Sequence, residues 1–181
     1  MKARVEAMRL LAESEQLFAE DAVREAVVRI GAEISAKLKD DFPVVLSVMG
    51  GAAIFTGQLL PLLAFPLEFG AIEVTRYNND IQGREITWRL APRDNVRGRV
   101  VLVVDDILDE GITLAAIKKR LAEMGAAKVY SAVFADKATG REKPVTADFV
   151  GVTVPNRYVF GFGMDAYGLW RNLPAIYALK D

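Results

Sequence analysis

The chain has 181 residues, of which 52% are hydrophobic and 26% charged, and this composition indicates one globular domain rather than a disordered chain. Its net charge of −1 argues against a general nucleic-acid or membrane binder. The absence of cysteine and histidine excludes disulfides, thiolate chemistry and every Ser-His triad, so acid–base chemistry must fall to carboxylates, lysines or tyrosines.

The first predicted elements are two helices on either side of a buried strand. Helical spacing of apolar residues predicts a long helix from about Ser14 to Lys39. The continuous apolar run Val44–Met49 is typical of a buried parallel strand. After the pair Gly50–Gly51, a second helix is predicted to continue until Pro61.

The middle of the chain is predicted to contain three strands followed by a helix. Ala71–Asn78 and Arg84–Leu90 indicate two strands joined by a polar segment, as a hairpin or a long arm. An apolar strand is predicted over Val100–Val104, followed by a helix from about Gly111 to Glu123 with Gly125 as its C-cap.

The last third adds a strand over Ala127–Ala135, and short strands or extended segments over Asp148–Val154 and Arg157–Gly163. Strand–helix–strand alternation with apolar strands predicts an α/β fold: a mainly parallel sheet flanked by helices. The first residues lack the apolar core of a signal peptide, and no apolar run is long enough to span a bilayer. We therefore expect a cytoplasmic protein without a membrane or nucleic-acid partner.

A cluster of acidic residues follows the Val100–Val104 strand. Asp105, Asp106 and Asp109 precede the backbone amides of Glu110–Thr113 at the start of a helix, where Gly111 permits close approach of a ligand. Helix N-terminal amides and a threonine hydroxyl form a phosphate cradle, and carboxylates accept hydrogen bonds from hydroxyls. A sugar phosphate reacting through an oxocarbenium-like centre satisfies both features. The alternative is that the acids merely end a strand and cap a helix.

This segment resembles the phosphoribosyl-pyrophosphate signature of the type I phosphoribosyltransferases. The resemblance implies a small hood, built from the N-terminal segment and residues from about 148 to 181, over a single domain spanning residues 1–181. It also implies Mg²⁺ as cofactor, with Asp105, Asp106 and Asp165 near the metal, and Asp109 as general base at purine N7. The residues implied to hold the phosphoribosyl group are Asp105, Asp106, Asp109, Glu110, Gly111, Ile112 and Thr113.

Two of those positions depart from the common pattern. Glu110 and Ile112 stand where threonine and lysine are frequent in the family. Because backbone amides form the cradle, we expect phosphate binding to persist.

The remainder of the chain resembles the hypoxanthine-guanine phosphoribosyltransferases over most of Val44–Leu173. Lys137 matches the lysine that reads the purine, and a lysine only donates, so it selects a 6-oxo group over a 6-amino group. By the same resemblance Tyr158 stacks on the purine, the backbone of Val159 reads its edge, and Asp165 lies near the exocyclic group. Arg171 is implied to reach the pyrophosphate.

Two further loops carry the resemblance. Ser47–Gly51 resembles the pyrophosphate loop, which implies a cis peptide bond between Met49 and Gly50, although many relatives have lysine in place of Met49. Thr75–Gly83 resembles the mobile arm that closes over the site, with Arg76 where serine is familiar and a matching Tyr77.

The resemblance implies transfer of phosphoribosyl from phosphoribosyl pyrophosphate to hypoxanthine or guanine, in a homodimer or homotetramer. A xanthine-preferring transferase remains open, because Lys137 fits every 6-oxopurine. A regulator that senses phosphoribosyl pyrophosphate on the same fold is the alternative of another class, although such a protein needs a basic surface or an added domain. A receiver-like phosphoacceptor domain shares paired acids but leaves the hood unexplained.

Overall fold

The structure, a computed structural model, describes residues 2–76 and 86–180. The α-helices are α1 (Lys2–Glu13), α2 (Glu20–Leu38), α3 (Ala53–Leu59) and α4 (Ile112–Glu123). The strands are β1 (Glu15–Phe18), β2 (Val44–Met49), β3 (Glu68–Arg76), β4 (Ile86–Leu90), β5 (Val100–Leu108), β6 (Lys128–Ala138), β7 (Phe149–Pro155), β8 (Val159–Phe160) and β9 (Ile176–Ala178). Across these described ranges, no helix has the length and apolar character needed to cross a membrane.

The strands form two sheets. The larger has the order β4-β3-β2-β5-β6-β7, in which β4 joins antiparallel and the other neighbours pair in parallel. The smaller is antiparallel, with the order β1-β9-β8, and so combines the two ends of the chain. After β7 completes the large sheet, the chain enters the small sheet at Val159. The predicted α/β fold with a mainly parallel sheet is confirmed.

Helices cover both faces of the large sheet, which explains why its central strands are apolar without alternation. Val45 and Leu102 belong to one core cluster together with Ile34 of α2. Val103 belongs to a second cluster together with Ile117 of α4. All five side chains are fully buried, and each such burial contributes about 1.5–3 kcal/mol.

The predicted helix over Ser14–Lys39 is wrong at its beginning. Residues Glu15–Phe18 form β1, and the helix starts at Glu20. Leu17 fits a helical spacing, but β1 pairs with β9, far away in the sequence, and this tertiary pairing decides the local conformation. A separate helix, α1, precedes β1 and was not expected from the sequence.

The other predicted elements are present, most with small shifts in their ends; β5 continues to Leu108, and the segment predicted over Arg157–Gly163 contains only the two-residue strand β8. Gly125 follows the last turn of α4 with a φ of +85°, and Ala126 and Gly125 donate to the carbonyls of Leu121 and Ala122. These are the two bonds of a Schellman motif, so the predicted glycine cap is confirmed. The strands predicted over Ala71–Asn78 and Arg84–Leu90 correspond to β3 and β4, and residues 77–85 between them lie outside the described part of the chain.

Asp148 ties α4, β6 and β7 together at the start of β7. Its carboxylate accepts hydrogen bonds from the Ser131 backbone N–H at 2.8 Å, the Ser131 hydroxyl at 2.9 Å and Lys118 Nζ at 3.1 Å. Partial burial acts to raise the pKa of Asp148, but the hydrogen bonds from Lys118 and Ser131 outweigh it and hold the pKa below its ordinary value. The ionised carboxylate therefore stabilises the fold.

We expect Asp148→Asn to lower the free energy of unfolding by about 1 kcal/mol at pH 7, because the carboxylate is 35% exposed and partly screened. A carboxyl group whose pKa is lowered by folding stabilises the folded state fully at pH values above its pKa in the unfolded chain, which is near 4. This contribution is lost as the pH falls through the lower pKa of the folded state. Urea unfolding from pH 7 to pH 3 should show the two proteins converging at low pH. Asp40→Asn, at an exposed position, is the control; a gap that is constant with pH would contradict this account.

Candidate active site

A cleft lies where the carboxyl ends of the parallel strands β2 and β5 meet, the edge at which open α/β sheets bind ligands. Its volume is about 330 Å³. It brings together the predicted site residues Met49, Gly50, Asp105, Asp106, Asp109, Gly111, Thr113, Asp165 and Arg171. Apolar side chains of β2, β3, β5 and α4 complete its walls: Val48, Val74, Ile107, Leu108 and Leu114.

The acidic pair lies inside β5 rather than beyond its end. The sequence predicts a strand ending at Val104, but pairing with β6 continues through Ile107 and Leu108. The Asp106 backbone N–H donates to Asp105 Oδ1 at 2.9 Å, and the Ile107 N–H donates to Asp106 Oδ1 at 2.8 Å. The two carboxylates are thereby held in fixed orientations.

Asp106 is a largely buried acid, with 15% of its side chain exposed. Burial raises its pKa above the ordinary value, and hydrogen bonds with Asp105 and the Ile107 N–H, together with the charge of Arg171, offset this only in part. Arg171 lies between two acids of the cleft, with Nη2 at 2.5 Å from Asp165 Oδ1 and Nη1 at 3.9 Å from Asp106 Oδ2. The carboxylates of Asp106 and Asp165 can therefore accept hydrogen bonds from ligand hydroxyls or interact with a cation.

Sequence reasoning missed how closely the backbone segments of Gly51 and Gly163 pack beside Asp106. A Cβ on Gly51 would lie 1.8 Å from Asp106 Oδ2, and a Cβ on Gly163 would lie 2.1 Å from the Gly51 carbonyl oxygen. The φ of Gly163 is +103°, which further excludes a side chain. The adjoining peptide bond between Met49 and Gly50 is cis, as predicted. The glycine pair was visible in the sequence, but its contact with Asp106 was not.

The predicted phosphate cradle forms the turn between β5 and α4. Gly111 has a φ of +79° and precedes the first residue of α4. Amides in the first turn of a helix have no acceptor within that helix, and with the helix dipole they suit an anion. Gly111 and Thr113 line the cleft, whereas Glu110 and Ile112 line a neighbouring cleft of about 450 Å³ that shares Asp109.

Lys137 contacts the predicted general base directly. Its Nζ donates to Asp109 Oδ2 at 2.7 Å, with 13% of the lysine side chain and 42% of the aspartate side chain exposed. Parallel pairing of β5 with β6 brings these two residues together from positions 28 residues apart. The site therefore contains a lysine–aspartate pair whose members both carry predicted roles.

Lys143 is a second lysine beside the same turn, and its role was not expected from the sequence. Its Nζ donates to the Leu108 carbonyl oxygen at 2.7 Å and to Asp136 Oδ1 at 2.5 Å. Leu108 precedes Asp109, and Asp136 precedes Lys137, so this lysine links the backbones that carry the pair. No local pattern around Lys143 signals the contact, since it depends on the return of the chain after β6.

The remaining predicted residues either do not line this cleft or lie outside the described residues. Tyr158, which is 46% exposed, directly precedes β8 of the small sheet, and the buried Val159 is the first residue of β8. Arg76 ends β3, but its side chain lies outside the described part of the chain, as does the whole of Tyr77.

The carboxylates of the cleft do not form a closed metal cage. Over residues 2–76 and 86–180, no group of three or more histidines, cysteines, aspartates or glutamates is arranged to hold a metal ion. Asp105, Asp106 and Asp165 nevertheless face one cleft, and the pKa of Asp106 is raised by burial. This donor set fits Mg²⁺, which is commonly bound by one or two carboxylates together with substrate oxygens and water.

Comparison with known proteins places this geometry in a family. The phosphoribosyl transferase domain family matches residues 13–167. Hypoxanthine-guanine phosphoribosyltransferase of Bacillus subtilis is 32% identical over 91% of this chain and 92% of its own length. Hypoxanthine-guanine-xanthine phosphoribosyltransferase of Tritrichomonas foetus is 32% identical over 91% of each chain. The crystal structure of a hypoxanthine phosphoribosyltransferase from Staphylococcus aureus superposes with a TM-score of 0.84 at 26% identity, covering 92% of this chain and 91% of that one.

The match covers most of the chain in each comparison, and it includes the acidic pair, the phosphate turn and Lys137. The chain therefore belongs to the phosphoribosyl transferase family.

Proposed function

We propose that the protein transfers the 5-phosphoribosyl group from phosphoribosyl pyrophosphate to hypoxanthine or guanine, giving IMP or GMP and pyrophosphate. The observation that carries this proposal is the Lys137–Asp109 pair at 2.7 Å, beside the acidic pair and the phosphate turn. The relatives named above support the same substrate class. In this reaction the bond from C1′ to pyrophosphate breaks and a bond from C1′ to purine N9 forms.

The ribose phosphate would bind across the turn between β5 and α4. The 5′-phosphate would accept hydrogen bonds from backbone N–H groups of residues 109–113, at the positive end of the α4 dipole. Asp105 and Asp106 would accept hydrogen bonds from the ribose hydroxyls and stabilise the positive charge that develops at C1′. Met49, Gly50 and Arg171 line the same cleft and would hold the pyrophosphate.

Enzymes of this family generally use Mg²⁺ together with phosphoribosyl pyrophosphate. When bound, the ion would neutralise negative charge on the leaving pyrophosphate. Asp105, Asp106 and Asp165 are the residues that would hold it. Arg171, which lies between Asp106 and Asp165, would supply further positive charge to the same leaving group.

The base would be read and deprotonated by the lysine–aspartate pair. Lys137 would move its hydrogen bond from Asp109 to the purine O6, because an ammonium group only donates. Asp109 would then accept the N7 proton as N9 bonds to C1′. Tyr158 would stack on the ring, and the Val159 backbone and Asp165 would lie at the edge that carries the C2 substituent. The small sheet, with the loops around it, would act as the hood over the base.

Xanthine is a second candidate substrate, because the relative from Tritrichomonas foetus carries xanthine in its name. Lys137 would accept any 6-oxopurine, so the C2 substituent separates the candidates. Nothing in the structure or the comparisons favours the regulatory alternative. We further propose that the protein acts in the cytoplasm as a homodimer or homotetramer. Exposed apolar side chains near one edge of the large sheet, Phe69 of β3 at 55% and Leu90 of the edge strand β4 at 46%, support self-association.

An absorbance assay with phosphoribosyl pyrophosphate and Mg²⁺ tests the proposal, with each of four bases offered separately. We expect turnover of hypoxanthine and guanine and none of adenine, because adenine presents a donor where Lys137 needs an acceptor. Turnover of xanthine would extend the substrate range. Binding of phosphoribosyl pyrophosphate without turnover of any base would overturn the proposal.

Asp109→Asn should lower kcat by about 10²- to 10⁴-fold, because the amide cannot take the N7 proton. The asparagine oxygen can still accept from Lys137, so binding of both substrates should change little. Steady-state kinetics with hypoxanthine measures both effects. Asp21→Asn, on the exposed face of α2, should behave as wild type; a fully active Asp109→Asn protein would remove Asp109 from the catalytic role.

Lys137→Ala should raise KM for hypoxanthine by about 10-fold or more, since a hydrogen bond to a charged donor contributes about 1.5–3 kcal/mol. The Kd for phosphoribosyl pyrophosphate, measured by calorimetry without a base, should stay within about threefold of wild type, because Lys137 is assigned no hydrogen bond to this substrate. Lys119→Ala, at a lysine whose side chain is 79% exposed, is the matched control. Equal loss of affinity for both substrates would contradict the assignment of Lys137 to the base.

A further inference from the structure

A tight turn in the hood joins Ala166 to Leu169. The Ala166 N–H donates to the Leu169 carbonyl at 2.9 Å, and the Leu169 N–H donates back at 3.0 Å. The two central residues, Tyr167 and Gly168, have φ angles of +54° and +80°. Two consecutive positive φ angles are the signature of a type I′ turn, in which asparagine, aspartate or glycine normally occupies the first central position.

Tyrosine is therefore an unusual choice at position 167. A bulky side chain at positive φ is strained, and such strain persists where a compensating interaction or a function maintains it. Burial does not maintain it, because Tyr167 is 73% exposed. The exposed ring does make an aromatic contact of its own, with Tyr158.

The ring of Tyr167 stacks on the ring of Tyr158. Their centroids are 5.7 Å apart and their planes differ by 18°. The backbone of Tyr158 is anchored, because its carbonyl accepts from the Leu179 N–H at 2.9 Å beside the small sheet. Tyr158 nevertheless remains 46% exposed. Tyr167 covers one face of this ring, so a planar ligand that stacks on Tyr158 would use the opposite face.

The same turn also belongs to the pyrophosphate side of the cleft. Asp165, immediately before the turn, accepts from the Gly168 N–H through Oδ2 at 2.7 Å and pairs with Arg171 through Oδ1 at 2.5 Å. The turn is thus closed at its base by two charged residues of the cleft, while its tip supports Tyr158. Its conformation is held by hydrogen bonds that do not involve the Tyr167 side chain.

We propose that Tyr167 is a positioning residue for the base: its ring holds the plane of Tyr158 so that a 6-oxopurine stacks on the opposite face, in a three-layer arrangement. This inference rests on the proposed function, in which Tyr158 contacts the base. It assigns to Tyr167 a contribution to binding of the base and none to binding of phosphoribosyl pyrophosphate.

The Tyr167→Asn variant tests the contribution of the ring independently of the turn. Asparagine suits the first central position of a type I′ turn, so the variant keeps the turn and removes the ring. We expect KM for hypoxanthine to rise about three- to tenfold, the scale of one aromatic pair. KM for phosphoribosyl pyrophosphate should stay within about twofold, and Tm should be unchanged or higher because strain is relieved. The Tyr167→Phe variant, which keeps the aromatic ring, should have the wild-type KM for hypoxanthine.

Three results would overturn this role. An unchanged KM for hypoxanthine in Tyr167→Asn would mean that the stack does not assist binding. A lower KM would mean that Tyr167 obstructs the base face of Tyr158. A lower Tm with equal rises in both KM values would reduce Tyr167 to a folding role. Wild-type protein in the same assay keeps the two proposals apart, because a wild type that converts no purine overturns the proposed function instead.

Discussion

The cost of burying carboxylates governs the geometry of this cleft. Asp105 and Asp106 lie within a core strand, where an acid loses hydration that only hydrogen bonds and charges can replace. Backbone N–H groups orient both side chains and Arg171 approaches from the hood, yet the pKa of Asp106 remains raised. These contacts therefore do not fully offset the effect of burial on Asp106. In the proposed reaction, ribose hydroxyls would donate to these acids, and the positive charge developing at C1′ would interact with them.

The small sheet joins the two ends of the chain on either side of the segment that carries Asp165 and Arg171. Arg157 bridges Glu15 of β1 at 2.6 Å and the Leu179 carbonyl at 2.8 Å. Trp170, which immediately precedes Arg171, donates from Nε1 to the Ala7 carbonyl of α1 at 3.0 Å. Arg171, whose guanidinium lies between two acids of the cleft, is therefore connected through Trp170 to α1, at the opposite end of the sequence.

Sequence reasoning succeeded where the information is local. The central strands could be predicted because strands buried on both faces are continuously apolar, as in Val44–Met49. The turn between β5 and α4 could be predicted because its acids, its glycine and its helix start lie close together in residues 105–113. The turn, the acidic pair and Arg171 do share one cleft.

Sequence reasoning failed where the role of a residue depends on partners far away in the sequence. β1 looked helical because its pairing partner, β9, lies at the other end of the chain. Lys143 carries no local signal, since its contacts with Leu108 and Asp136 arise only after the chain turns back from β6. Tyr167 was passed over because its significance comes from a backbone angle and a ring contact, which composition and spacing do not express.

The packing of Gly51, Asp106 and Gly163 leaves no space for a larger residue at either glycine. A single carbon added to Gly51 would collide with the Asp106 carboxylate, and one added to Gly163 would collide with the Gly51 carbonyl oxygen. In the proposed function, the base would instead lie against Tyr158, whose ring is exposed beside the turn that carries Tyr167. Under that proposal, substitutions around Tyr158 would change which bases bind without disturbing the residues that hold the activated sugar.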